Sequence, residues 1–304
     1  MLASFLNCIN MKQSPINYLA YSQQVSRYLS SYEQVSALYH EVADRLLDRL
    51  ELMRFTPEFI ADIGSKDGYS IASLLQHYPC ATLHAIEDQS AWFEAFSSAY
   101  SHSQVHTHVS DIEQVPLADQ SMDCVFSNLA VSWSNDFEAS MREWLRILKP
   151  EGMILFSCLG VDTLKEHRQS MQAIGRPSAV HEYTDMHWVG DVLLAQGYVD
   201  PVVHMETLTV HYGSLKALWR DLRYAMATNI RIDRSRGLLT PKLWQSMEAH
   251  YASLRDDRGR YPVTFEIVYG HALAPQLPVD DSSPKVSEHV VSIDKVTVRS
   301  KKQE

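Results

Sequence analysis

The segment that most constrains the fold runs from Phe59 to Glu87. An apolar stretch over residues 59–63 leads into the turn DIGSKDG (62–68), and a helical pattern over 69–77 follows. The next apolar stretch, 81–86, ends at the acidic residue Glu87. In an open α/β sheet, a glycine turn lets the backbone approach a ligand, and a carboxylate about 20 residues further on can bind ribose hydroxyls. The segment therefore predicts a nucleotide-type cofactor site.

Strand-like and helical patterns continue to alternate after Glu87. This alternation predicts a mostly parallel sheet with helices on both faces. A helical region over 21–52 precedes the first strand. The later strand patterns cover 104–109, 123–127, 153–157, 202–210 and 263–272, and the later helical patterns cover 188–196, 214–228 and 241–254 together with a helix that begins after Asp136.

The composition is that of a globular chain with a normal core. Of 304 residues, 45% are hydrophobic and 21% are charged, which is typical of one large or two modest domains. The net charge of -10 argues against a general nucleic-acid binder. No apolar stretch approaches the roughly 18 residues of a membrane span, so no membrane partner is expected.

The cysteines and the first ten residues indicate in which cellular compartment the protein is expected. Cys8, Cys80, Cys124 and Cys158 are scattered without a CxxC pair, which favours free thiols in a reducing compartment such as the cytoplasm. The start MLASFLNCIN lacks the basic region of a secretory signal. Met11 is a second candidate initiator, which N-terminal mass spectrometry of the native protein would test.

Four successive strand ends carry groups that suit a ligand. These are the DIGSKDG turn, Glu87, Asp111 and Asn128. Ligands of open α/β sheets bind at the carboxyl ends of the strands, so the four sites should meet at one edge. Each feature alone is common, and coincidence is the alternative interpretation.

The turn itself discriminates between cofactors. A dinucleotide site needs three glycines against a pyrophosphate, whereas here the middle position is Lys66 and an acid, Asp67, precedes Gly68. A ligand with an ammonium group and no phosphate suits Asp62 and Asp67 better. S-adenosylmethionine is such a ligand.

The chain resembles the class I S-adenosylmethionine-dependent methyltransferases over its first 160 residues. More narrowly, it resembles the malonyl-[acyl-carrier protein] O-methyltransferases of biotin synthesis over most of 21–275. The matching strings are SSYEQ (30–34), HEVADRLLDRL (40–50), DIEQVPLAD (111–119), VFSNLAVSW (125–133), REWLRILKPEGMILFS (142–157), AQGYVDPV (195–202), LWRDLRYAMATN (218–229) and PVTFEIVYGHA (262–272).

The resemblance implies a Rossmann-like α/β fold with a seven-stranded, mostly parallel sheet, an antiparallel last strand, flanking helices and a helical cap. Cap elements are expected at 21–52 and 212–256 within a domain over 21–275. We expect a flexible N-terminus over 1–20 and a disordered tail over 276–304, whose role stays open.

The resemblance also assigns cofactor-binding roles by position. Asp62, Gly64 and Gly68 would hold the methionine moiety, Glu87 the ribose hydroxyls, Asp111 and the Ile112 backbone the adenine, and Asn128 and Leu129 the methyl-donor side. Tyr32 would help to cover the cofactor.

The chain departs from the family at Ser65-Lys66-Asp67, where Cys-Gly-Thr is usual. A side chain at the middle position demands a different backbone path or obstructs the ligand. The departure keeps open a non-catalytic paralogue with impaired cofactor binding. A methyltransferase of the same fold acting on another acid or on a protein is the other alternative.

The implied reaction is methylation of the free carboxylate of malonyl-acyl carrier protein. A carboxylate is ionised at pH 7, so carboxyl methylation requires no obligatory base or metal, only in-line placement in a dry site. His181, His187, His204 and His211 do not show metal-ligand spacing, and no metal site is expected.

Basic residues of the second half are the candidates for acceptor recognition. Arg220 and Arg223 lie one turn apart and could steer the malonyl carboxylate, with solvated helix charges as the alternative. The stretch 212–236 holds six basic residues, Lys216, Arg220, Arg223, Arg231, Arg234 and Arg236, against two acidic ones. Since acyl carrier proteins are acidic, this 216–236 patch could dock one, and a basic surface without a partner is the alternative.

Overall fold

The computed structural model describes residues 16–276 apart from residues 52, 54, 178, 179, 235, 236 and 238. Seven strands form one sheet. They are β1 (Phe59–Ile63), β2 (Thr82–Glu87), β3 (Val105–Val109), β4 (Met122–Asn128), β5 (Leu148–Leu159), β6 (Val199–Tyr212) and β7 (Tyr261–Leu273).

The strand order is β3-β2-β1-β4-β5-β7-β6. Strands β1 to β5 pair in parallel, whereas β7 runs antiparallel to both β5 and β6. The expected class, a seven-stranded mostly parallel sheet with an antiparallel last strand, is confirmed. The order reverses between β1 and β4, and ligands of open α/β sheets bind at such a switch point.

Nine α-helices accompany the sheet in the described part of the chain. They are α1 (Tyr18–Tyr28), α2 (Ala37–Glu51), α3 (Tyr69–His77), α4 (Ser90–Ala95), α5 (Phe137–Ile147), α6 (Lys165–Ala173), α7 (Met186–Gln196), α8 (Leu215–Tyr224) and α9 (Pro241–Ala252). Short 3-10 helices lie at Leu29–Gln34 and Ala130–Trp133.

Helices cover both faces of the sheet, which explains why the central strands are apolar throughout. Successive strand residues point to opposite faces, so Ile60 packs with α2, α3, α8 and α9. Its neighbour Ala61 packs with α5 and α7 on the other side. Trp144 of α5 has no exposed surface, and burying a side chain of this size is among the larger single contributions to a core.

The N-terminal helical region differs from the single stretch expected over 21–52. It consists of α1, the 3-10 helix Leu29–Gln34 and α2, and α1 begins at Tyr18 with the Asn17 side chain as its N-cap. Ile16 is buried, so the fold starts before Tyr21. Residues 1–15 and 277–304 lie outside the described residues.

Helix α6 was not predicted, because its sequence KEHRQSMQA is too polar to show an apolar stripe. It is held by a buried polar contact instead, in which Glu166 accepts hydrogen bonds from the backbone and side chain of Thr264. Across the described residues, no helix has the length and apolarity needed to cross a membrane.

Candidate functional site

The DIGSKDG turn follows a left-handed path at three positions. Gly64, Lys66 and Gly68 have φ values of 81°, 48° and 75°. A Cβ on Gly64 would lie 2.2 Å from Cβ of Ala130, so both the backbone angle and the packing require glycine there. Lys66 adopts the same left-handed region despite its side chain.

Two hydrogen bonds hold the backbone of Lys66 in this conformation. Its N–H donates to Oε1 of Glu87 at 2.5 Å, and its carbonyl accepts from the hydroxyl of Tyr100 at 2.6 Å. A left-handed conformation costs a non-glycine residue roughly 1–2 kcal/mol. The turn therefore has the backbone conformation that a glycine would adopt. The hydrogen bonds to Glu87 and Tyr100 offset the cost of this conformation.

Asp62 is the buried acid at the base of the turn. Its side chain has no exposed surface, and Oδ2 accepts from the Ser70 hydroxyl at 2.6 Å. Oδ1 has no hydrogen-bond partner among the described residues. Burial raises the pKa of Asp62 to about 7, and the Ser70 bond opposes that rise. A buried acceptor without a donor costs about 1–3 kcal/mol, so the site suits a ligand with an N–H donor.

Glu87 lies at the end of β2, also buried. Burial raises its pKa to about 8, the charge of Asp88 adds to the rise, and the Lys66 backbone bond opposes it. The pKa of Asp88 is raised to about 6, by burial and then by Asp111. The end of β2 is therefore an acidic pair that holds protons near neutral pH.

Asp111 and Ile112 follow β3 at the open side of the site. Asp111 accepts from the Tyr18 hydroxyl at 3.3 Å and from the Glu113 N–H at 2.9 Å. The Ile112 carbonyl accepts from the indole N–H of Trp144 at 2.9 Å. The loop after β3 is thus hydrogen-bonded to α5 through Ile112 and to α1 through Asp111.

Asn128 is the last residue of β4, and its side-chain amide both donates and accepts a hydrogen bond. Its Nδ2 donates to the Tyr39 carbonyl at 2.8 Å, and its Oδ1 accepts from the Ser157 hydroxyl at 2.9 Å. Leu129 then turns the chain with a φ of 59°, and its N–H donates to Ser157 Oγ at 3.0 Å. Asn128 therefore ties the sheet to α2.

These groups surround a cleft with two parts. The larger hollow covers about 500 Å³ of space that is open to solvent, and the smaller covers about 260 Å³, also open to solvent. Gly64 and Lys66 line both. The larger hollow is lined in addition by Ile16, Tyr18, Tyr21, Glu87, Asp88, Asp111, Ile112, Ala130, Trp133 and Ile230, and the smaller by Tyr32, Tyr39, Ala43, His40, Ser65, Asp67, Tyr69, Ser70 and Asn128.

The structure brings most of the expected cofactor residues together. Six of them line the cleft, while Asp62, Gly68 and Leu129 lie behind its walls. The six are Tyr32, Gly64, Glu87, Asp111, Ile112 and Asn128. The edge predicted from the strand ends thus exists as a single continuous site.

Arg220 and Arg223 do not belong to this cleft. Neither lines it, and both side chains are exposed on α8. Arg220 pairs with Asp221 at 2.8 Å. They point away from the two hollows because α8 buries Leu215, Leu218 and Leu222 and turns its basic side outward, and their role toward the acceptor stays a prediction.

The 216–236 patch is smaller than its sequence suggested. Arg231 is 6% exposed, and its guanidinium donates to the Glu182 carbonyl at 3.3 Å, so it is not a surface charge. Arg236 lies outside the described residues. Lys216, Arg220 and Arg223 remain as exposed residues on one side of α8.

Several lining residues had no signal in the sequence. Nζ of Lys66 lies 3.8 Å from the ring centroid of Tyr39, and Tyr18 and Trp133 line the larger hollow. Tyr18 and Tyr39 belong to the cap, and Trp133 belongs to the 3-10 helix after β4. No local sequence motif predicts that these three residues lie at the cleft. Within the described residues, no group of three or more His, Cys, Asp or Glu side chains could hold a metal ion.

Known proteins match this chain in sequence. The family model described as a methyltransferase domain matches residues 61–156. A malonyl-[acyl-carrier protein] O-methyltransferase of Nitrosospira multiformis is 37% identical, over 85% of this chain and 90% of the relative. The chain belongs to the malonyl-[acyl-carrier protein] O-methyltransferase family. Its relative of the same name in Gallionella capsiferriformans is 34% identical, over 96% of this chain and its own full length.

Solved structures agree on the fold. The YcgJ protein of Bacillus subtilis has a TM-score of 0.55 at 13% identity, over 76% of this chain and 97% of its own. A phosphoethanolamine N-methyltransferase 2 of Haemonchus contortus, solved with S-adenosylhomocysteine, has a TM-score of 0.53 at 14% identity, over 84% of this chain and 60% of its own. The expected class I methyltransferase fold is confirmed.

The residues at the cleft fit the cofactor of this family. Asp62 Oδ1 offers a buried acceptor without a partner, which suits the ammonium of an amino acid. Glu87 is a buried carboxyl at the end of the second parallel strand, and a carboxyl at such a strand end can accept from ribose hydroxyls.

Proposed function

We propose that this protein transfers the methyl group of S-adenosylmethionine to the free carboxylate of malonyl-acyl carrier protein. The observation that carries the proposal is similarity to enzymes of that name over nearly the whole chain, including 96% of it for the Gallionella capsiferriformans relative. The similarity extends beyond the matched methyltransferase domain at 61–156. It therefore includes the cap, where acceptor selection takes place in this proposal.

The cofactor would lie across both hollows. In this proposal Asp62, Gly64 and Gly68 hold its methionine part, and Glu87 binds the ribose hydroxyls. The adenine would lie against Asp111 and the Ile112 backbone. Asn128 and Leu129 would border the methyl-donor side, and Tyr32 would cover it.

The chemistry places few demands on the protein. When bound, the cofactor supplies a methyl group already activated by a sulfonium. The acceptor carboxylate is ionised near neutral pH and needs no base. The chain must align the two groups and exclude water, and the buried rings of Tyr32 and Tyr39 would form the dry wall of the methyl-transfer site.

The carrier protein would dock on the exposed basic side of α8, formed by Lys216, Arg220 and Arg223. This helix contacts the 3-10 helix that carries Tyr32, and the chain after it leads to Ile230 in the larger hollow. An acidic carrier attracted to this side would present its acyl arm beside the cap. The docking surface excludes the buried Arg231.

Charge reversal tests the docking surface. The triple variant Lys216→Glu, Arg220→Glu, Arg223→Glu should raise KM for the carrier substrate about tenfold at low salt, with less effect at high salt. A matched control reverses three exposed charges elsewhere, Arg142, Lys242 and Arg258. Equal effects in both variants, or none in either, would remove α8 from the proposal.

Product analysis tests the activity. Purified protein with S-adenosylmethionine should convert malonyl-carrier protein to its methyl ester, detected by intact-mass spectrometry. Free malonate and succinyl-carrier protein serve as competing acceptors. Methylation of another acid in preference would assign a different substrate. Cofactor binding without methylation of any acceptor would favour a non-catalytic paralogue.

The product would enter biotin synthesis, because an ester masks the charge that prevents fatty-acid enzymes from extending the chain. We propose the cytoplasm as the site of action, where a carrier protein and free thiols at Cys80, Cys124 and Cys158 are compatible. Cell fractionation with an antibody to the native protein would test this placement.

A further inference from the structure

Lys66 carries an ammonium that has no acidic partner. Within the described residues, no carboxylate oxygen forms an ion pair with its Nζ. The Nζ lies 3.8 Å from the ring centroid of Tyr39 and 6.0 Å from that of Tyr32. An aromatic face attracts a cation but accepts none of its three N–H bonds in the usual way. The donors of Lys66 are therefore available to a ligand.

The position of Lys66 directs those donors into the cleft. It lines both the larger and the smaller hollow. Its backbone is fixed by Glu87 on one side and Tyr100 on the other. Because the backbone is anchored and the ammonium rests on Tyr39, the side chain spans the junction of the hollows.

The charge of Lys66 opposes the rise in the pKa of Glu87 and of Asp88, but within the described residues its ammonium forms no ion pair with either carboxylate. Asp67 accepts from the ring of His40 at 2.7 Å. Glu87 accepts from the backbone N–H of Lys66. Asp62 is bonded to Ser70 through one oxygen, and its other oxygen is buried without a partner. The cleft is thus lined by one available cationic donor, Lys66, and the unpartnered Oδ1 of Asp62 lies buried behind its wall.

We propose that Lys66 binds a carboxylate in the cleft, as the cationic half of a site for a zwitterionic α-amino acid whose ammonium goes to Asp62. The inference rests on the proposed function, because the amino-acid end of S-adenosylmethionine is the ligand with this pair of charges. A malonyl carboxylate has the same chemistry and is the second possible source. Lys66 is then a specificity-determining residue.

Calorimetric titration with three thioether ligands tests the inference without turnover. The ligands are S-adenosylhomocysteine, its decarboxylated analogue, and 5′-methylthioadenosine, which lacks the whole amino-acid end. The native protein should prefer S-adenosylhomocysteine over the decarboxylated analogue about tenfold, as for one hydrogen bond between charged groups. Lys66→Met should reduce that preference below about twofold. Lys66→Arg should keep it, and affinity for 5′-methylthioadenosine should not change.

Lys149→Met is the matched control, because Lys149 also lies over an aromatic ring, that of Phe59 at 4.8 Å, but pairs with Asp123 away from the cleft. It should leave all three affinities unchanged. Circular dichroism of each variant establishes that the fold is intact.

The outcomes distinguish the two possible sources of the carboxylate, the cofactor and the acceptor. Loss of the preference in Lys66→Met assigns the carboxylate to the cofactor. An unchanged preference with KM for malonyl-carrier protein raised about tenfold assigns it to the acceptor. If neither changes, Lys66 binds no carboxylate and the inference is overturned. If the native protein binds none of the three ligands, the proposed function fails, and this inference fails with it.

Discussion

The two walls of the cleft are built in different ways. The sheet wall consists of Glu87, Asp111 and Asn128, each at or just after the end of a parallel strand, and Asp62 is buried behind it. The cap wall consists of Ile16, Tyr18, Tyr21, Tyr32 and Tyr39, all from the chain before β1. The sheet wall supplies charge and hydrogen-bond acceptors, whereas the cap wall supplies mainly aromatic surface.

The walls also differ in how they are held. Asp62 and Glu87 lie within ladders of parallel strands and are buried. The first part of the cap is held to the rest by a few hydrogen bonds, among them one from the Ile16 N–H to Asn135 Oδ1 at 2.6 Å and one from the Asn17 N–H to the Ile230 carbonyl at 2.8 Å. Segments with few contacts open at low free-energy cost. The comparison teaches that the sheet wall fixes the ligand and the cap wall closes over it.

Removal of a sheet-wall carboxyl should have the largest effect. Glu87→Ala should weaken S-adenosylhomocysteine binding by up to about 100-fold, because two hydrogen bonds of up to about 1.5 kcal/mol each are lost. Calorimetry gives the dissociation constant. Glu266→Gln, a change at another buried glutamate outside the cleft, is the control. Equal losses in both variants would contradict the assignment of Glu87 to the ligand.

Binding should strengthen with pH, because Asp62 holds a proton below about pH 7 in the free protein. The folded-state pKa of Asp62 is about 7 against an ordinary 3.8, so a ligand ammonium must bind the ionised form and displace a proton. Affinity for S-adenosylhomocysteine should rise about tenfold between pH 6 and pH 8. Titrations in buffers of different ionisation enthalpy measure the released protons.

The same groups give the opposite trend in the stability of the free protein. Glu87 also has a raised pKa, about 8 against 4.5. Between the ordinary and the raised values the folded state holds protons that the unfolded state has lost, so this contribution to stability falls as pH rises toward 8.

The binding prediction has its own contradicting result. An affinity for S-adenosylhomocysteine that does not change with pH would show that the ligand does not bind Asp62.

The strain at Lys66 should appear in stability. Lys66→Gly and Lys66→Met both remove the ammonium, but only glycine relaxes the left-handed backbone. The glycine variant should be more stable than the methionine variant by about 1 kcal/mol, measured by urea unfolding. Gln120, with a φ of 51°, offers the same Gly-against-Met comparison away from the cleft. A methionine variant as stable as the glycine variant would mean that the turn relaxes elsewhere.

A cap-wall change should have the smallest effect. Tyr18→Phe removes hydroxyl contacts to Asp111 at 3.3 Å and from Asn135 at 2.9 Å, and Tyr18 is 38% exposed. Because Tyr18 is exposed and its contact to Asp111 is long, the loss of these two contacts should change cofactor affinity by about threefold at most. Hydrogen exchange of α1 should accelerate in the variant. A loss as large as that in Glu87→Ala would reverse the ranking of the two walls.

The difference between the walls explains what the sequence could predict. The sheet wall follows from local signals, because a strand end, a glycine turn and an acid at the next strand end are adjacent in sequence. The alternation of strands and helices, and the positions of Glu87 and Asp111 at or just after strand ends, were therefore predictable from the sequence. The structure confirms the fold that they predicted.

The cap wall depends on contacts between distant segments. Ile16 meets Asn135, and Tyr39 meets both Asn128 and Lys66, and no periodicity reports such pairs. The exposed position of Arg220 and the buried position of Arg231 also depend on which side of the cap faces the sheet. The positions of such residues are determined by tertiary packing. The sequence therefore predicted an exposed Arg231, whereas the structure buries it.

The most direct test of the account is a calorimetric titration of the native protein with S-adenosylhomocysteine in two buffers at pH 7. The account predicts one site per chain with micromolar affinity and release of protons to the buffer. Absence of binding, both in the native protein and in Lys66→Gly, would contradict the claim that this cleft is the cofactor site of a methyltransferase.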